Sequence, residues 1–406
     1  MKKIILFLFI ATNIQIFAQG KLISYEKVDS LNFTQLKAIW KDLSLPQLIT
    51  SIKNEVDIYE LYYNTQLPSG KEVVATGLYY VPKGVQLFPI MQYNHGTVTR
   101  NRTSYDYNGE STICKIFAAD SYAVAWQDYI GLGKAEGFHP YQHAETAGQS
   151  GVDLLKAIKE INQDLGLITN NELFITGYSQ GGYSTMAVHK MIEEKYATVF
   201  NVTASSPMSG AYDMAGVQSK VMEIEYTQPH YLPYLLYGYQ ELYNIIDGEF
   251  EQIFVAPYDS IIPLYFDKQH SVNEINDILP SIPMDMIDPI YADEFRNNPD
   301  FLFRKVLEEN NLYKWIPQAP VQFCYCKSDE EVTYENAIVA YDWMKKNGAK
   351  NIIKRNVGNT FSHHDCASYA AMYTKFYFDS FRNGAKNGTR GPIMKNILVG
   401  IVKGIK

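Results

Sequence analysis

The sequence predicts an α/β fold, a mostly parallel central sheet with helices on both faces and an inserted helical cap, and three observations predict it. Short runs rich in β-branched and aromatic residues alternate with longer stretches of helical periodicity. Gly177-Tyr178-Ser179-Gln180-Gly181 joins one such run, residues 173–176, directly to a helical stretch. Between residues 210 and 317 the alternation fails, and tyrosines crowd together at Tyr226, Tyr231, Tyr234, Tyr237, Tyr239 and Tyr243.

The chain has 406 residues and a formal net charge of -8. It opens on Met1-Lys2-Lys3 and an apolar run to Ala18, too short to span a membrane comfortably, so residues 1–18 read as a secretory signal peptide and the protein as exported. Loss of Lys2 and Lys3 takes the charge from -8 to -10. Nucleic acid is not an expected partner of so acidic a protein. Residues 19–391 contain no Gly/Ser-rich or Pro-rich linker and no repeat, so one elaborated domain is expected.

Residues 56–64 and 72–81 flank Leu67-Pro68-Ser69-Gly70 and read as a β-hairpin. Strands follow at 88–93, 122–126, 173–176, 321–326 and 351–357, with Leu154, Ile158, Ile161 and Leu165 at helical spacing between two of them. In the insertion, about 210–317, Leu235, Leu242, Ile245, Ile246, Phe301, Val306 and Leu307 suggest helices broken by Pro229, Pro233, Pro280 and Pro283. A cap over the catalytic edge is expected, the alternative being a satellite subdomain whose aromatics fill its own core. The tail, 392–406, puts Ile393, Ile397, Leu398 and Ile401 on one helical face, suited to docking on the body or to contact with a lipid surface. Of four cysteines, Cys326 and Cys366 flank the same edge and are the one pair expected to bond, free buried thiols being the alternative.

A serine hydroxyl attacks at neutral pH only if a base takes its proton, and the base needs a third group to hold its tautomer. In a fold that carries its serine on a strand-turn-helix, the acid and then the base follow in loops after later strands. Asp329 follows the strand ending at Cys326, and His363 and His364 follow the last strand. His95, His139, His143, His189, His230 and His270 lie in the wrong places for a base. His363-His364-Asp365 does not suit a metal, because adjacent residues converge poorly on one ion. The backbone N–H groups of Gln180, after the serine, and of Thr97, after Tyr93-Asn94-His95-Gly96, are the expected oxyanion donors.

With these residues the chain resembles the α/β-hydrolase superfamily, and within it the secretory lipase and esterase branch. The resemblance runs over about 56–371 apart from the insertion. It is carried by Gly177-Tyr178-Ser179-Gln180-Gly181-Gly182, by Asp128-Tyr129-Ile130-Gly131-Leu132-Gly133, and by His139-Pro140-Tyr141 with His143-Ala144-Glu145. It implies Ser179 as nucleophile, Asp329 as acid, and as base the histidine three before a cysteine, His363 before Cys366. The chain departs from the family in having Trp126-Gln127 where Pro is common before Asp128, and in doubling the histidine, which leaves His364 as an alternative base. The resemblance implies hydrolysis of a small-molecule or lipid carboxylic ester without cofactor or metal. A serine peptidase of related fold and an inactive ligand-binding homologue are the alternatives.

Overall fold

The computed structural model describes residues 20–42, 50–102 and 109–384; the expected signal peptide at 1–18 and the amphipathic segment at 392–406 lie outside the described residues. Among the described residues nine strands form one sheet: β1 (Leu22–Leu31), β2 (Val56–Gln66), β3 (Glu72–Pro82), β4 (Leu87–Asn94), β5 (Ala123–Gln127), β6 (Ile168–Tyr178), β7 (Val202–Met208), β8 (Val321–Cys326) and β9 (Ile352–Gly358). Their spatial order is β1-β2-β3-β5-β4-β6-β7-β8-β9. The expected hairpin is β2 and β3; β1, β2, β3 and β5 pair antiparallel, and from β5 to β9 every pairing is parallel.

The two faces of the sheet are packed by alternate residues of the same strands, as the two-residue period of a strand requires. Met91, Val124, Trp126 and Phe174 enter one core with Phe117 of the helix Ser111–Ala119 and Phe376 and Phe378 of the helix His363–Arg382. Ile90, Ala123, Ala125, Leu173 and Ile175 enter the other, with Leu154, Ile158 and Ile161 of the helix Ala144–Asp164 and Val188 of the helix Gln180–Lys195. Helices therefore cover both faces, and β5 and β8 are buried along their whole length, as strands of a parallel sheet are.

Between β7 and β8 the chain runs through the helices Tyr231–Tyr243, Tyr258–Tyr265, Val272–Asn276, Pro289–Asn297 and Leu302–Glu309. Pro233 breaks none of them. It sits in the first turn of Tyr231–Tyr243, where an N–H has no partner within the helix and its loss costs nothing. The crowded tyrosines face both inward and toward the body: Tyr239 packs on Phe303, while Tyr234 stacks on Tyr141 at 4.7 Å and donates to the carbonyl of Val98 at 3.0 Å. Cys326 and Cys366 form a disulfide, which leaves Cys114 and Cys324 as buried free thiols.

Candidate active site

Ser179 stands between β6 and the helix Gln180–Lys195 at φ 59° and ψ -120°, a conformation that costs an L-residue roughly 1–3 kcal/mol. The turn is held by its surroundings: the Ser179 N–H donates to the carbonyl of Met208 at 3.0 Å. Side chains at 177 and 181 would run into the Asn94 carbonyl, so both positions must be glycine. The hydroxyl so presented lines a cavity of about 1010 Å³ that His363, Gly96 and Thr97 also line.

Asp329, in the loop after β8, places Oδ1 and Oδ2 at 2.8 and 2.9 Å from His363 Nδ1. Its Oδ1 also accepts the backbone N–H groups of Glu331 and Val332 at 3.2 and 2.9 Å, which fixes the carboxylate before it meets the ring. His363 is buried, its own N–H donates to Glu330 at 3.0 Å, and its carbonyl accepts from Tyr178 at 2.5 Å. Burial alone would lower the pKa of this imidazole; the charge of Asp329, the hydrogen bond to it, and the charges of Glu331 and Glu330 outweigh burial and raise it. His364 points away, with its side chain 84% exposed and its Nε2 3.3 Å from Glu331. Of the two adjacent histidines, His363 is the one brought to Asp329.

Glu331 looks in the sequence like part of a solvated acidic run, yet it is buried. Its carboxylate accepts from Gln228 and from the Tyr231 hydroxyl, both at 2.9 Å and both from the insertion, and lies 3.7 Å from His363 Nε2. Burial would raise its pKa, but the hydrogen bond from His364 and the charges of His363 and His364 hold it down at about 2. The insertion is thereby tied to the face of the imidazole opposite Asp329.

The loop carrying Thr97 is clamped peptide by peptide. The His95 carbonyl accepts from the Tyr129 hydroxyl at 2.8 Å, and the Gly96 N–H of the same peptide donates to Glu110 at 3.0 Å. In the next peptide the Gly96 carbonyl can only accept, so His95 Nδ1 donates to it at 2.6 Å. A trans peptide is planar, so fixing that carbonyl fixes the direction of the Thr97 N–H. His95 is neutral in this role because burial lowers its pKa to about 4. Glu110 also accepts from the Tyr93 hydroxyl at 2.7 Å, and burial raises its carboxyl to about 7.

Gln180 is the first residue of its helix, where an N–H has no partner within the helix. Its side chain is held by His139: Nδ1 donates to the Ile130 carbonyl at 3.0 Å, which leaves Nε2 to accept from the Gln180 amide at 2.6 Å. Burial lowers the pKa of His139 to about 3 and keeps the ring neutral, and the Ile130 carbonyl sets its tautomer. Of the histidines set aside as bases, His95 thus fixes the peptide that carries the Thr97 N–H, and His139 holds the side chain of Gln180. Position along the chain carries no signal for that work, and none for Glu110 or Glu331.

Residues 109–243, a third of the chain, match the prolyl oligopeptidase family. A candidate hydrolase from Legionella pneumophila is similar over 90% of this chain and 100% of its own, with 28% identity and a TM-score of 0.82. The rice cell wall degrading esterase LipA from Xanthomonas oryzae covers 88% of this chain and 96% of its own, with 27% identity and a TM-score of 0.77. Candida antarctica lipase A in its closed state shares the fold at 15% identity, over 94% of this chain and 87% of its own, with a TM-score of 0.70. No curated protein sequence matches the chain.

Proposed function

Because the chain belongs to the α/β-hydrolase superfamily, we propose that it is an exported serine esterase, with Ser179 as nucleophile, His363 as base and Asp329 as the acid that orients it. The observation that carries this reading is the buried Asp329–His363 pair on the cavity that the strained Ser179 lines. Ser179 Oγ attacks the ester carbonyl carbon while its proton passes to His363 Nε2. The carbonyl oxygen takes up negative charge against the N–H groups of Thr97 and Gln180, whose removal in comparable enzymes costs about 3–4 kcal/mol per donor. The carbon–oxygen bond then breaks, and the proton passes from His363 to the departing alcohol. Water repeats the sequence on the acyl-serine and releases the acid. The cycle balances without cofactor or metal.

Export is supported by the apolar, basic-ended segment 1–18 and by a disulfide, which persists in oxidising compartments. A fluorophosphonate probe should label the wild type and not Ser179→Ala, and Ser179→Ala should lower ester turnover on the order of 10⁴-fold or more. Labelling that survives the substitution refutes the assignment. A serine peptidase is the second reading, favoured by the family match over residues 109–243. Faster cleavage of dipeptidyl amides than of nitrophenyl esters would establish it in place of the esterase.

A further inference from the structure

Among the described residues a large and a small cavity meet at Ser179. The large one, about 1010 Å³, is lined by His363, Gly96 and Thr97, and its apolar wall comes from Ile113, Ile116, Phe117, Met372 and Phe376. The small one, about 40 Å³, lies between the body and the insertion; Met214, Val221, Met222, Leu232, Leu235 and Val332 line it, and His363 does not. Its wall is locked. Tyr141 lies between Tyr231 at 5.8 Å and Tyr234 at 4.7 Å and shares a hydroxyl hydrogen bond with Thr97 at 3.0 Å, while Tyr226 donates to the Glu331 carbonyl at 2.6 Å.

From this geometry we propose that the site sorts the halves of its ester by size, the acyl group entering the small apolar slot and the alcohol the large cavity, so that its substrates are short-acyl esters of bulky, largely apolar alcohols. The inference rests on the serine-esterase reading above. The leaving oxygen must take its proton from His363 Nε2 as its bond to carbon breaks, so the alcohol departs on the side that His363 lines. The tetrahedral carbon directs its remaining substituent, the acyl group, away from the imidazole. On that side Ser179 opens on the slot, whose 40 Å³ holds roughly three water-sized groups, the size of an acetyl to butyryl chain. A longer acyl chain must displace packed tyrosine and leucine side chains, whereas the cavity beside His363 takes a long or ring-bearing alcohol without moving anything.

Decyl acetate and ethyl decanoate are isomers of matched apolarity with the ester reversed, and they separate the two halves. Below their solubility limits, decyl acetate should be cleaved with a kcat/KM about tenfold or more above that of ethyl decanoate. Met222→Ala, or Leu235→Ala should the first fail to fold, should narrow the gap by raising cleavage of ethyl decanoate. Equal rates, a preference for ethyl decanoate, or hydrolysis of 4-nitrophenyl acetate but not of decyl acetate overturns the partition while leaving the esterase in place. If no ester is cleaved and a fluorophosphonate does not label Ser179, the esterase reading falls and the partition falls with it.

Discussion

Two buried carboxylate clusters among the described residues near the catalytic edge differ in the cations that neutralise them. In the first, Arg102 donates to Asp128 at 3.0–3.2 Å and to Glu60 at 2.5 Å, Lys134 donates to Glu60 at 2.5 Å, and Thr76 and Trp126 donate to Asp128 at 2.7 and 3.1 Å. In the second, Asp329 and Glu331 close on His363 from opposite sides, at 2.8 and 3.7 Å. A guanidinium does not give up its proton at any pH a protein meets, whereas an imidazole does so near neutrality. Burial would raise the pKa of Asp128, yet the charge and hydrogen bonds of Arg102 outweigh it and keep the carboxyl ionised, so the first cluster is a permanent pin. It anchors the loop from which Tyr129 reaches the His95 carbonyl. The second is as deeply buried, but its cation can be made and unmade within a catalytic cycle.

Removing one acid from each cluster tests the contrast most severely. Asp329→Asn should lower kcat by about 10⁴-fold through the wrong histidine tautomer, with little change in thermal unfolding. Asp128→Asn should do the reverse, costing about 3 kcal/mol of stability in a denaturant titration because Arg102 loses a buried counter-charge, while the folded fraction keeps far more activity than Asp329→Asn. If Asp128→Asn left stability unchanged, the pin would not exist.

A finer distinction lies in pH. The pKa of His363 is raised in the folded protein, so the neutral base is lost on acidification at a pH above the ordinary value for histidine. Glu331→Gln removes one of the charges that raise it and should move the acid limb of the kcat/KM profile to lower pH. The stability linked to this group has the matching sign. It is fully present below the unfolded histidine pKa and is lost as pH rises through the raised folded value. An unmoved acid limb in Glu331→Gln would show that Glu331 only ties down the insertion.

The α/β architecture was legible because strand and helix periods differ and alternate along this chain. Two strands were not. β7, Val-Thr-Ala-Ser-Ser-Pro-Met, carries small and polar residues yet is buried, because neighbours satisfy its hydroxyls: His189 pairs with Ser205 at 2.8 Å, and Ser206 pairs with Thr374 at 2.7 Å. β1 lies at the sheet edge with two register shifts, so its exposed residues never alternate cleanly. At the site, Ser179, Asp329 and His363 could be named because the chemistry restricts both residue type and order along the chain. Glu110 and Glu331 could not, since residue type gives no sign that a glutamate is buried, and Glu331 meets a partner, Gln228, from 103 residues away.

The bond between Cys326 and Cys366 crosses 40 residues of sequence. Asp329 follows its first cysteine by three positions and His363 precedes its second by three. Chain-entropy arguments give closure of such a loop on the order of 4 kcal/mol of stability. Its greater effect is on which parts of the molecule open together. β9 is the rim of the sheet, the place where fraying starts, and β8 is next to it. With the crosslink in place, the end of β8 and the first turn of the helix His363–Arg382 cannot drift apart when the rim breathes. Acid and base move as one body, and a local opening can part them from Ser179 without parting them from each other.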